Sequence, residues 1–214
     1  MSSRLDDLIR FYAILDDLER KPGGRRLLSE CHGRMNWPQR GVYFFFEDGE
    51  FRTDSGDGMR VVRVGTHALT SSSRTTLWNR LSAHKGHEKS GGGNHRGSIF
   101  RLLIGSTLIT NDPTASCSTW GVGSNVSAEI RRNEESYERQ VSRIIRAMPF
   151  VWLAVDDPPG PMSLRGVIER NTIALLSNLG KPPLDPPSAS WRGRACDRGR
   201  ERVRDSCPRS CRTA

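Results

Sequence analysis

Apolar residues at Leu5, Leu8, Ile9, Tyr12, Leu15 and Leu18 recur every three or four positions, which predicts an amphipathic helix at the N-terminus. Ser3 and Asp6 stand at its start with the spacing of a capping box. "KPGGRR" ends it. The pattern then changes period. "GVYFFFE" and "RVVRVGTH" are dense in aromatic and β-branched residues and read as two strands, joined through "DGEFRTDSGDGM", whose Gly and Asp residues suit the turns of a long hairpin. Within the first strand Val42, Phe44 and Phe46 share one face, and Tyr43 and Phe45 share the other.

Helical spacing returns in "SSRTTLWNRLSAH", with Ser and Thr as cap candidates and Leu77 and Leu81 one turn apart. Glycine loses the most backbone freedom on ordering, so "KGHEKSGGGNHRG" is expected to be a flexible loop. It lacks the Gly-Lys-Ser/Thr of a phosphate-binding P-loop. "SIFRLLIGSTLI" is apolar throughout, and periodicity leaves helix and strand open. Ile130, Tyr137, Val141, Ile144, Ile145 and Met148 line one side of a helix starting near residue 127. "FVWLAVDD" reads as a buried strand stopped by "PPGPM", and "SLRGVIERNTIALLSNLG" as a helix opened near Ser163 and closed at Gly180. Trp120 and Trp152 are assigned to the core.

Composition changes this picture at the C-terminus. Lys plus Arg exceed Asp plus Glu by 33 to 24, a net charge of +9, with 29 arginines against 4 lysines. Guanidinium forks match phosphate oxygens, so the balance favours a polyanionic partner. Residues 192–212 alone hold eight arginines and three acids, and residues 187–214 have almost no aliphatic side chains. That segment is expected to be a disordered basic tail, either a nucleic-acid-binding arm or an accidental terminus. The five cysteines, at 31, 117, 196, 207 and 211, form no CxxC pair, which suits reduced thiols in a cytoplasm. No run of eighteen apolar residues occurs, so no membrane span is expected.

The order strand, strand, helix, then a later strand and a glutamate-bearing helix resembles the GIY-YIG nuclease superfamily. "GVY" at 41–43 is similar to its first triplet and "RVG" at 63–65 to its second. "LWNRLSAH" resembles its arginine-bearing helix and "IERNTIALLSN" its metal-ligand helix. The resemblance implies an α+β fold: a small antiparallel sheet flanked by helices, with an N-terminal helical segment over 1–37, the nuclease-like domain over 38–186 and a helical insertion over 86–148. It further implies hydrolysis of DNA phosphodiesters with one divalent ion, Mg²⁺ or Mn²⁺.

By position, the resemblance makes Tyr43 the first-motif tyrosine, Arg80 the helix arginine and Glu169 the metal carboxylate. His84 resembles a histidine of restriction-enzyme members, and on a helix it lies one turn from Arg80. The chemistry gives each a reason. Glu169 would hold a hard ion, Tyr43 would take the proton of the attacking water, Arg80 would meet charge developing on the phosphate, and His84 would steer or shuttle a proton. Arg63, His67, Lys85, Arg96, Asn171 and Asn178 are assigned to substrate contact. Lys85, Lys89, His95 and Arg96 would reach phosphates from the glycine-rich loop. His84, His87 and His95 with Asp156 or Asp157 are disfavoured as a zinc site, because such ligands need fixed geometry.

Two departures from the pattern leave a second reading open. Arg63 stands where the second motif carries its tyrosine, and nineteen residues separate the triplets. A catalytically inactive nucleic-acid-binding protein on the same scaffold is the alternative. Restriction or defence is preferred to repair because no repair-type domain follows, and double-strand cutting suits a homodimer. Without the resemblance, Glu169 would simply pair with Arg165 one turn back.

Overall fold

The computed structural model describes residues 3–21, 23–112, 114 and 116–195. Most of the basic tail therefore lies outside the described residues. The chain divides into two compact units, one formed by the segment up to Lys85 with Arg146–Ser188, the other by Gly86–Ile145 with the segment from Ala189 on.

The first unit is built on a four-stranded antiparallel sheet in the order β1-β4-β2-β3. Its strands are β1 (Arg26–Leu27), β2 (Gly41–Phe51), β3 (Met59–Gly65) and β4 (Pro149–Ala154). β2 is central because nearly its whole length is buried, and it pairs with β3 on one side and β4 on the other. The alternation anticipated in "GVYFFF" is realised. Val42, Phe44 and Phe46 join Val61, Val64 and Val151 in a core closed by Leu8, Tyr12 and Leu15 of helix α1 (Arg4–Arg20). Ser3 caps α1 in a capping box with Asp6, as its spacing predicted. Since α1 supplies core residues of the sheet, it belongs to that unit and is no separate segment. A register shift between Phe45 and Phe46 lets both Val61 and Val64 of β3 reach the same core.

The opposite face of the sheet is aromatic. Phe45 stacks on Phe150 at 5.1 Å, and Trp37 stacks on Trp78 at 5.2 Å and lies 4.8 Å from Trp152. Helix α2 (Leu77–Lys85) covers this face with Leu77, Leu81 and His84 buried, and Thr76 accepts from the Asn79 N–H at its start.

Helix α5 (Leu164–Leu176) is capped by Ser163, as expected, and presents Ile168, Ile173 and Leu176 to the α1 side of the sheet. It stops at Leu176, short of Gly180, because Ser177 turns extended and Arg4 fastens that end. The Arg4 guanidinium donates to the carbonyls of Leu175, Ser177 and Pro182 and to Asn178 Oδ1. Farther on, Asp185 accepts from the N–H groups of Thr53, Asp54 and Ser55, tying the chain to the hairpin turn.

The second unit contains α3 (Ile99–Asn111) and α4 (Ala128–Ala147), so the apolar "SIFRLLIGSTLI" is a helix. The glycine-rich segment before it is not the flexible loop expected. It turns tightly around Arg101, whose side chain is fully buried. A Cβ on Gly93 would lie 2.3 Å from the Arg101 guanidinium carbon, and one on Gly86 would lie 2.3 Å from the Gly92 carbonyl oxygen. The glycines are there to admit a guanidinium, not to confer freedom. The start of the expected disordered tail is also ordered: Ser188 donates its N–H to Glu50 in the first unit, and a 3-10 turn at Arg192–Ala195 packs on α3.

Candidate active site

Two consecutive residues, the last of β3 and the one after it, contact two of the candidate side chains. Tyr43 faces Gly65 across the β2–β3 ladder, and a Cβ on Gly65 would meet the phenol oxygen at 2.3 Å. Only glycine lets the ring lie there. The next residue, Thr66, donates its N–H to Glu169 Oε1 at 3.2 Å, while its hydroxyl donates to the Gly41 carbonyl at 2.8 Å. Gly41, the first residue of "GVY", is itself confined by β4, since its Cβ would come within 2.5 Å of the Leu153 carbonyl oxygen. Both glycines of the triplets thus answer to close backbone or ring approach.

Helix α2 delivers the third element. The Tyr43 hydroxyl lies 2.8 Å from His84 Nε2, and both side chains are completely buried. The phenol O–H donates to the imidazole when Nε2 carries its lone pair. Arg80 is one turn before His84 and partly buried. Glu169, on α5, is partly buried beside the apolar stripe of that helix. Burial pushes its carboxyl above the usual carboxylate range, against the opposing pull of Arg63, the Thr66 N–H, Arg80 and Arg170. Arg165 does not pair with it. That guanidinium is fully buried, forms an ion pair with Asp157 and donates to the His67 carbonyl.

The remaining candidates have other contacts. Arg63 faces Phe45 across the ladder, on the same side of the sheet as Tyr43, and its charge acts on Glu169. His67 is buried, its Nε2 3.4 Å from the Gln39 carbonyl oxygen and its Nδ1 without a protein partner among the described residues. Burial first, then the charges of Arg165, Arg40 and Arg80, lower its pKa to about 4. It is a neutral imidazole at the margin of the site, followed by Ala68 in a left-handed conformation at φ 55°.

Lys85, Arg96 and Asn178 are structural in their contacts. The Lys85 ammonium is buried and donates to the Cys31 carbonyl at 2.6 Å, so it offers no charge at the surface. Arg96 grips Glu134 through two nitrogens and donates to the carbonyls of Thr119, Val122 and Gly123. Asn178 donates to the Leu184 carbonyl and accepts from Arg4 and from the Leu184 N–H. Asn171 is exposed on α5. His95 is buried too, sharing Glu138 through Nδ1 at 2.9 Å and accepting from the Gly121 N–H. Lys89 alone of the loop's four phosphate candidates is exposed. Sequence reading missed Thr66 and Arg101, and placed Gly65 in the second triplet without its role as the seat of Tyr43: these roles depend on what lies across space, which no local pattern carries.

Glu169 is a suitable donor for a hard divalent ion. One of its oxygens is fixed by Thr66, burial disfavours its bare charge, and an ion such as Mg²⁺ takes one or two carboxylates while keeping waters. Among the described residues no group of three or more His, Cys, Asp or Glu forms the enclosed set a zinc ion requires.

A sequence profile described as the GIY-YIG domain matches residues 2–207. No curated protein and no solved structure matches the chain significantly. The profile spans nearly the full sequence, and the α+β architecture with its antiparallel sheet agrees with it; the chain belongs to the GIY-YIG domain family.

Proposed function

We propose that this chain, a member of a family whose domains are generally nucleases, is a metal-dependent endonuclease that hydrolyses DNA phosphodiester bonds, acting in restriction or defence. One observation carries the reading. Tyr43 lies against His84 and on Gly65, and Glu169 accepts from the adjacent Thr66, which supports a shared site for residues remote from one another in sequence. A divalent ion held by Glu169 would supply positive charge and a polarised oxygen at the scissile phosphate. The rest falls to side chains. His84 receives the Tyr43 proton along their 2.8 Å contact, which leaves the phenol oxygen able to accept a proton from water. Arg80, and Arg63 from the position of the second-motif tyrosine, supply fixed positive charge toward the phosphate beside Glu169. The restriction role draws its support from His84, which resembles the histidine of restriction-enzyme members.

Plasmid nicking with Mg²⁺, with and without chelator, tests the reading. Cutting that requires the metal and disappears in Glu169→Ala is expected. Chelator-insensitive cutting, or an active Glu169→Ala protein, refutes it. Binding without any cutting supports the alternative, an inactive nucleic-acid-binding member, which Arg63 in the second triplet favours.

A further inference from the structure

The charges of α4 are sorted between its two sides. Its inward side carries Glu134, Glu138, Val141, Ser142 and Ile145, all buried. Both glutamates are neutralised inside the second unit: Glu134 takes two bonds from Arg96, and Glu138 takes bonds from Arg101 and His95. Burial alone would raise their pKa values, but these partners hold both carboxyls below the ordinary range. Half of the helix's four acids thus contribute nothing to its outer surface.

The arginines remain outside. Arg132, Arg139 and Arg143 are exposed. Their spacings of seven and four residues place them in one row on the side opposite Val141, about 17 Å from end to end at 1.5 Å per residue. Glu135 pairs with Arg139 at 2.7 Å, but both are solvent-exposed to about half, so the pair is weak and exchangeable. Beside Arg139 lies glycine backbone, half-buried at Gly91 and buried at Gly92, each 3.9 Å from its Cγ when measured from where a Cβ would stand. Arg146 continues the row in sequence but spends its Nε on the Lys85 carbonyl and is not counted.

We propose that this row is a second nucleic-acid contact of the protein, a strip of guanidinium groups that follows the phosphate backbone of duplex DNA without reading its sequence. The inference rests on the nuclease reading for its choice of DNA. Charge complementarity argues for the occupant: three exposed guanidinium forks in one row on a helix match the spaced oxygens of a phosphate chain. The contact assigned from sequence to Lys85, His95 and Arg96 thereby moves to the helix whose acids Arg96 and His95, with Arg101, neutralise.

The test is the salt dependence of duplex binding by the full chain, in chelator so that no cutting competes. The triple variant Arg132→Ala, Arg139→Ala, Arg143→Ala keeps good helix formers, and a charge-matched control carries Arg10→Ala and Arg20→Ala on α1 with Lys21→Ala at its C-cap. Each lost phosphate contact lowers the slope of log K against log salt by about 0.9, so the triple variant should lose about 2 to 3 and the control almost nothing. An unchanged slope, an equal loss in both variants, or no binding by the parent protein overturns the proposal. Should the triple variant fail to fold by circular dichroism, Arg132→Gln with Arg143→Gln reads the same slope with an expected loss of about 2. Plasmid nicking separates the two readings: cutting with an unaltered slope sinks the row alone, and a shallower slope without any cutting by the parent protein sinks the nuclease alone.

Discussion

The ring of Tyr43 rests on the bare Cα of Gly65, with the phenol oxygen 2.3 Å from where a side chain would begin. The second triplet's glycine is therefore a seat for the first triplet's tyrosine. Gly65→Ala should push the ring off His84 at a cost of about 1–3 kcal/mol, the usual range for overpacking. Nicking should fall with it, and a urea midpoint indistinguishable from that of the parent protein would contradict the seating.

Glu169 lies where its charge is disfavoured without a cation. Glu169→Gln keeps an oxygen for the Thr66 N–H and removes the charge. The variant should unfold at the same temperature as the parent, or higher, in the absence of metal. Mg²⁺ should raise the melting temperature of the parent only, since a ligand stabilises the state that binds it. A Mg²⁺-induced rise of equal size in the variant would remove Glu169 as the ligand.

His67 predicts the direction of acid sensitivity. Its folded pKa of about 4 lies below the ordinary histidine value of 6.5, so near pH 5 the unfolded chain binds a proton that the native state refuses. Stability from this group is complete above the unfolded value and is lost as pH falls from about 6.5 toward 4, amounting to about 2 kcal/mol at pH 5. Urea midpoints at pH 7 and pH 5 should converge in His67→Gln, and an unaltered pH dependence in that variant would reject the assignment.

Arg101 is the pivot of the second unit, donating to Glu138 through Nε at 2.9 Å and to Ser142 Oγ at 2.9 Å. Arg101→Leu leaves Glu138 buried beside a partner it has lost and should cost about 3–5 kcal/mol. Adding Glu138→Leu should recover part of that loss. A double variant no more stable than the single one would mean that the pair matters only through shape.

Much of this was legible along the chain because it was local. Ser3 with Asp6, Ser163 and the alternation in "GVYFFF" each carry their signal within a few residues. The triplets and the two helix segments led to Tyr43, Arg80, His84 and Glu169, of which Tyr43 and His84 are in direct contact and Glu169 bonds to Thr66. Local reading failed where burial inverted the usual meaning of a residue. Arg96, Arg101 and Lys85 look like surface charge in a basic protein, yet each is consumed by an internal carbonyl or carboxylate. The glycine run looked mobile because composition records freedom and cannot record the guanidinium that fills the space. Strand β1, two residues long, offers no pattern to detect.

Arg4 holds the far end of α5 by its three carbonyls and one amide, and α5 is the helix that bears Glu169. Proteolytic trimming or a bulky affinity tag near the amino terminus would consequently slacken a clasp about two helical turns from the acidic group, and activity lost on such handling would report a loosened hinge pin instead of damaged chemistry.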